Sequence, residues 1–266
     1  KEYQVEKVET FSVNFSGRKP GYSGITILPK DWVMLVDNTN KQCILLNNSH
    51  QVVSRYKLTG NLCDVCVIGD EEVAVSVYDE NKIQILSVTD DVISPVGTIA
   101  TKYKCFGITT AGKGKLVVVG DCGNNKYCWS LIIDGKEVNY SDLFDSESGY
   151  CSYIALNNSK TRVYVTVPNT NSLHCFNMEG KKQYTYSHDN LKCPLGVTVD
   201  RDDNIYVVGC GSHNIHQLSS EGCLIQVITT GVPQNPRAIC YNNSNDTFVI
   251  TNHSIEREEV HIFQLK

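Results

Sequence analysis

Six copies of one pattern, spaced about 40–45 residues apart, constrain this chain more than anything else in it. Gly24–Ser49, "GITILPKDWVMLVDNTNKQCILLNNS", and Gly196–Gly222, "GVTVDRDDNIYVVGCGSHNIHQLSSEG", share one order of parts. Each has a Gly–β-branched–Thr–aliphatic run, a polar turn, a short apolar run, a loop holding Asn, and a further run. The runs have strand composition and the polar clusters between them are turn-forming. Further copies begin at Asp64, Gly107, Ser152 and Arg237. The matching first-strand positions are Ile25, Val65, Ile108, Ile154, Val197 and Ile239, in steps of 40, 43, 46, 43 and 42 residues. A lone meander of this size is only marginally stable in water, so each copy must pack against its neighbours. Four strands per copy at this period predict an all-β chain, a six-bladed β-propeller of four-stranded antiparallel blades.

The ends fit that architecture. The last copy stops at Lys266 after three strands, and "YQVEKVETFSVNF" before the first copy alternates like a strand with no blade of its own. The expectation is that this N-terminal strand completes the last blade and covers a sheet edge that would otherwise template aggregation. The copies occupy residues 1–266 without a linker, as one propeller domain. The chain does not begin with Met, and it is expected to be the C-terminal part of a longer protein.

Composition narrows the function classes. The net charge of −5 argues against a globally basic nucleic-acid binder. No apolar run approaches the roughly 18 residues of a membrane helix, and no membrane partner is expected. Twelve cysteines could signal a disulfide scaffold, but Cys66, Cys175 and Cys240 sit within apolar strand runs, where a free Cys behaves as a small hydrophobe. Reduced thiols and a cytoplasmic location are therefore expected. Seven N-x-S/T sequons, at Asn14, Asn47, Asn139, Asn157, Asn242, Asn245 and Asn252, point the other way but matter only in the secretory pathway. Cys122 and Cys128 flank a loop where they could face each other across a hairpin.

The blades resemble NHL repeats, as in the C-terminal six-bladed propellers of tripartite-motif (TRIM) proteins, in particular the divergent invertebrate type. "ILPKDWVMLVDNTNKQCILLN", "GVTVDRDDNIYVVGCGSHNIHQLSSEG" and "QNPRAICYNNSNDTFVITN" carry the likeness. The Asp that closes the second strand in such repeats is matched by Asp37, Asp79 and Asp121, and replaced by Val167 or Pro168, Gly209 and Asn252 elsewhere. The resemblance implies a target-recognition module of a ubiquitin ligase or scaffold. Ligase activity and oligomerisation through a coiled coil would then belong to modules outside this chain.

Strand order places two loop sets at one end of the blades: those leading into each first strand, and those joining second to third strands. Functional residues concentrate on such loops. The candidates for partner binding are Tyr22, Tyr103, Lys104, Lys126, Tyr127, Tyr150, Lys192, His213 and Arg237. Tyr and Arg combine contact area with polar reach; the competing reading is that a Tyr at a blade entrance wedges neighbouring sheets apart. The partner expected is a protein. Single-stranded RNA is the alternative on the same face, carried by the local cluster Lys102, Lys104 and Lys126.

A metal centre is not expected. The recurrent Cys63, Cys105, Cys151 and Cys193 sit one per blade, whereas zinc needs four ligands about 2.3 Å from one point. His213 and His216 fall in a loop and a strand, and His216 is expected to hydrogen-bond a neighbouring blade. At the starts of the inner strands Asp64 is the single carboxylate, so no catalytic metal, cofactor or enzyme is expected.

Overall fold

The computed structural model describes residues 3–15, 17–123, 126–145, 153–253 and 258–266. The chain is a six-bladed β-propeller of four-stranded antiparallel sheets. Strand β1 (Val5–Phe11) comes first. Blade 1 is β2 (Tyr22–Leu28), β3 (Trp32–Asp37), β4 (Gln42–Leu46) and β5 (Val52–Lys57). Blade 2 is β6 (Leu62–Gly69), β7 (Glu72–Val77), β8 (Lys82–Thr89) and β9 (Val92–Ala100). Blade 3 is β10 (Lys104–Gly112), β11 (Lys115–Gly123), β12 (Lys126–Ile133) and β13 (Lys136–Asp145). Blade 4 is β14 (Ile154–Leu156), β15 (Arg162–Val167), β16 (Ser172–Asn177) and β17 (Lys182–Ser187). Blade 5 is β18 (Pro194–Val199), β19 (Ile205–Gly209), β20 (Asn214–Leu218) and β21 (Leu224–Ile228), and blade 6 has β22 (Pro236–Asn242), β23 (Thr247–Asn252) and β24 (Val260–Leu265). As the sequence pattern anticipated, β1 supplies the fourth strand of blade 6, pairing antiparallel with β24 from Val5 opposite Leu265 to Phe11 opposite Val260.

The chain divides into two compact units. One spans Phe15–Tyr153 and holds blades 1 to 3; the other joins Lys1–Asn14 to Ile154–Lys266 and holds blades 4 to 6. Within each unit the second and third strands of a blade are covered on both faces, which is why β3, β7 and β19 read as nearly unbroken apolar runs. In the first unit Met34, Val36, Cys43 and Leu45 of blade 1 pack with Val65, Val73, Val75 and Leu86 of blade 2. In the second, Tyr206, Val208 and Ile215 of blade 5 pack with Ile239, Phe248 and Ile250 of blade 6. Each fully buried side chain of this size contributes about 1.5–3 kcal/mol relative to exposure. The outer strand β5, "VVSRYK", alternates between half-buried and exposed because one of its faces meets water.

The Gly at the head of the repeat pattern has a steric cause. A Cβ on Gly24 would lie 2.9 Å from the Asp64 backbone, and one on Gly196 would lie 2.5 Å from the Arg237 carbonyl oxygen. The first strands of adjacent blades run too close there for any side chain. Beside these positions the register of β2, β6, β10, β18 and β22 slips through a bulge near the start of the strand. Bulges re-aim side chains and end pairing, and here they set the loops that follow.

Candidate functional site

In four blades one backbone hydrogen bond ties the two loop sets together. The residue after the second strand donates its N–H to the residue ahead of the first: Asn38 to Gly21 (3.0 Å), Tyr78 to Asn61 (2.8 Å), Cys210 to Cys193 (3.1 Å) and His253 to Asn235 (2.8 Å). The two loop sets thus share one end of each blade, as strand order implied. In blade 1 the bond is backed by Asp37, which is buried and accepts from the Gly21 N–H (3.0 Å), the Asn40 N–H (3.1 Å), and the side-chain amides of Asn40 (2.8 Å) and Gln42 (2.9 Å). Asp79 and Asp121 are not its register equivalents: Val77 stands opposite Leu62, where Asp37 stands opposite Tyr22. Asp121 pairs with Lys104, one residue beyond Gly120 opposite Cys105. Asp79 instead caps the loop by accepting from the Asn61 N–H and side-chain amide.

The first unit sorts its candidates by depth. Tyr22, Tyr103 and Tyr127 are 1%, 5% and 3% exposed, so their rings serve as wedges and offer almost no contact area. The Tyr103 hydroxyl donates to Ser130 Oγ inside the blade 2–blade 3 core. Lys104 and Lys126 are exposed. The Lys104 ammonium lies 5.1 Å from the centre of the half-buried Tyr78 ring, within cation–π range. Tyr78 stacks on Phe106 at 4.7 Å, and Phe106 on Tyr127 at 5.9 Å. A column of three rings therefore runs inward from a surface made by Lys104 and Tyr78. Lys102, the other member of the basic cluster, pairs with Glu137 at 3.7 Å. Asp64 is occupied structurally: its carboxylate accepts the N–H of Val65 (2.9 Å) and of Ile108 (3.1 Å), joining blade 2 to the first strand of blade 3.

Cys122 and Cys128 form a disulfide across the β11–β12 hairpin, with Cα atoms 6.1 Å apart. This realises the pairing that the hairpin left open and is an exception to the expected reduced thiols. The two cysteines flank a hairpin loop, and the antiparallel pairing sets their side chains within bonding reach. Cys43, Cys66, Cys105 and Cys175 are free and buried. Burial pushes the Cys43 and Cys105 thiols up to about 12.

The second unit gathers its candidates around the entrance of blade 5. Lys192 is exposed and its backbone N–H donates to Ser212 Oγ (3.0 Å). His213, exposed in the β19–β20 loop with φ of 54°, accepts the Asn235 N–H on Nδ1 (3.0 Å). That bond places the ring proton of neutral His213 on Nε2, facing away from the bond. Arg237 is half-buried at the start of β22. His216 does bond a neighbouring blade: the Tyr186 hydroxyl of β17 donates to Nδ1 (2.6 Å), and Nε2 faces the Asn190 carbonyl oxygen (3.2 Å). Burial drives its pKa down to about 4, so it stays neutral at pH 7.

Between these groups lies a pair of thiols of which the repeat pattern singled out Cys193 alone. Cys193 and Cys210 are both free and half-buried, and the backbone bond between them sets the two residues side by side. The neighbouring Cys210 thiol lowers the Cys193 thiol below its ordinary range against the opposing effect of burial. Cys210 is pushed up by the neighbouring Cys193 and by burial, and the Arg237 charge acts in the other direction. Cys210 and Tyr78 both occupy the position just after a second strand; aligning the copies on that position would have exposed both. Tyr150 and Cys151 lie outside the described residues. Among the described residues no cluster of three or more His, Cys, Asp or Glu could hold a metal ion, and no helix is long and apolar enough to cross a membrane.

No family model matches the sequence, and no curated protein does. Solved structures do match. Virginiamycin B lyase from Staphylococcus aureus is similar over 100% of both chains, with a TM-score of 0.68 at 16% identity. A luciferin-regenerating enzyme is similar over 100% of this chain and 97% of its own, with a TM-score of 0.71 at 15% identity. The β-propeller domain of Myceliophteria thermophila Cps50 (Swd1) is similar over 92% of this chain and 84% of its own, with a TM-score of 0.68 at 9% identity. At such identities the likeness establishes the fold. It also corrects the exclusion of enzymes. That exclusion rested on the scarcity of metal-binding side chains at the inner strands, yet a lyase and a luciferin-regenerating enzyme share this fold along its whole length.

Proposed function

We propose that the chain is a recognition module that binds a protein partner through the loops at the Lys104 end of its blades. The observation that carries this reading is the Lys104 ammonium over the half-buried Tyr78 ring. Interface hot spots favour an aromatic anchor fixed from below, and the stacked Tyr78 ring is one. The stack on Phe106 holds Tyr78 in place before any partner arrives, which lowers the ordering cost of binding. Exposed Lys126 extends the surface, and in the other unit Lys192, His213 and Arg237 offer contacts of the same polar kind. In this reading the chain resembles the target-recognition end of a tripartite-motif ligase or scaffold, whose other modules lie outside it. Buried Tyr103 and Tyr127 support the surface without touching the partner.

Single-stranded RNA is the second reading, favoured by the same lysine–aromatic pair, since bases stack on rings beside cations. One accessible ring gives it little to stack on, because Phe106 and Tyr127 are buried.

The test uses the whole chain as bait with Lys104→Glu and, as control, Lys136→Glu at the opposite end of blade 3. A cross-linked polypeptide retained by wild type and by the control but lost with Lys104→Glu is the expected result. Equal capture by all three would overturn it. Binding to a fluorescent random RNA pool that weakens steeply with salt, and disappears with Lys104→Glu, would install RNA in its place.

A further inference from the structure

The blade 5 entrance contains a two-cysteine site for which the recognition reading has no use. Three features define it. The Cys210 N–H bonds the Cys193 carbonyl oxygen at 3.1 Å, which places the two residues side by side where the loop leading into β18 meets the end of β19. Neither thiol is sealed in the core. Cys193 is also held from behind, its backbone N–H donating to Asn171 Oδ1 at 2.7 Å. Cys43 and Cys105, by contrast, are sealed in the core.

We infer that Cys193 and Cys210 form a thiol–disulfide exchange site, with Cys193 the attacking sulfur, Cys210 the resolving sulfur, and a low-molecular-weight disulfide as the substrate class. In the first step the Cys193 thiolate attacks one sulfur of the disulfide RSSR. The S–S bond breaks, one RS⁻ leaves and takes up a proton, and Cys193 carries SR. In the second step Cys210 gives its proton to solvent and attacks Cys193 Sγ, expelling the second RS⁻. Two protein thiols are oxidised, one RSSR is reduced to two RSH, and the electrons balance. Attack requires a thiolate with an accessible sulfur. The neighbouring Cys210 thiol favours the Cys193 thiolate. The positive charge of Arg237 favours ionisation of Cys210 in the second step.

The experiment treats the reduced full chain with oxidised glutathione at pH 7, quenches by alkylation and maps peptides by mass spectrometry. Exposed Cys223 serves as an internal standard. Wild type is expected to yield a Cys193–Cys210 cross-linked peptide, and Cys210→Ser to accumulate glutathione on Cys193 at least about tenfold faster than on Cys223. Cys193→Ser is expected to leave Cys210 unmodified. Should either variant fail to fold, the wild-type cross-link alone decides. Absence of that cross-link, or modification of Cys193 no faster than of Cys223, would overturn the inference. The Cys122–Cys128 peptide is scored separately and has no bearing on the result.

Discussion

Blade 1 and blade 5 carry the same frame yet close it with different chemistry. Opposite Tyr22 in blade 1 stands Asp37, a buried carboxylate that takes four N–H donors. At the matching place in blade 5, opposite Pro194, stands Gly209. A Cβ there would come 2.3 Å from both Ser212 Oγ and Asn214 Oδ1, because neutral groups already fill the space a carboxylate would use. Ser212 accepts the Lys192 N–H, Asn214 donates to the Asn190 carbonyl oxygen, and the two cysteines lie alongside. What both blades keep is the backbone bond from the residue after the second strand, Asn38 in one and Cys210 in the other. A propeller entrance therefore needs its backbone geometry, and the side chains that satisfy it are free to diverge. In blade 5 that freedom has admitted a reactive pair.

The comparison breaks first at Asp37. Replacing it by Ala strips the shared acceptor from four donors, and the expected loss is about 3–4 kcal/mol in urea unfolding of the whole chain. A loss below about 1 kcal/mol would mean that the backbone bond alone closes blade 1.

The second unit is the one expected to respond to acid. His174, His216 and His261 each have a pKa lowered to about 4 by burial. A folded pKa below the unfolded value of about 6.5 means that the unfolded chain binds more protons, so stability is complete above pH 6.5 and declines as pH falls toward 4. The expected loss is about 2–3 kcal/mol per histidine at the acid end. Urea midpoints at pH 7.5, 5.5 and 4.5 measure it, and His216→Gln should flatten the decline. An unchanged slope in that variant would remove His216 from the account.

Ser212→Ala should cost about 1 kcal/mol, since one neutral hydroxyl, which accepts the Lys192 N–H and donates to Asn214 Oδ1, is lost where water can partly replace it. A cost matching that of Asp37→Ala would show that the two closures are not distributed differently after all. The smallest effect is expected outside both: Lys104→Ala should shift stability by less than about 0.5 kcal/mol while abolishing partner capture. A larger shift would make the Lys104–Tyr78 contact a fold element.

The blades were legible because their pattern repeats. Ile25, Val65, Ile108, Ile154, Val197 and Ile239 all lie in first strands, each opposite a second-strand residue 10 or 11 positions on. The depth of the tyrosines was not legible. Whether a ring at a blade entrance points inward depends on the space left by the adjacent sheet, and an alternating pattern does not encode that space. Treating Asp79 and Asp121 as copies of Asp37 failed because the residues that share its place in the register are Val77, opposite Leu62, and Gly120, opposite Cys105, so an Asp near the end of a second strand need not sit where Asp37 does. Cys210 escaped notice because its partner lies across a loop junction, and a Cys just past an apolar strand looks like one more small hydrophobe.

The pairing of β1 with β24 has a consequence for how the chain is made. Val5–Phe11 is synthesised long before Val260–Leu265, so blade 6 cannot be finished until both strands have been made. Contacts between such distant segments form slowly, because nearly the whole chain must be looped before they are rewarded. The waiting strand is suited to the delay. "VEKVETF" is charged and largely exposed even in its final place, so it offers little apolar surface to other nascent chains in the interval.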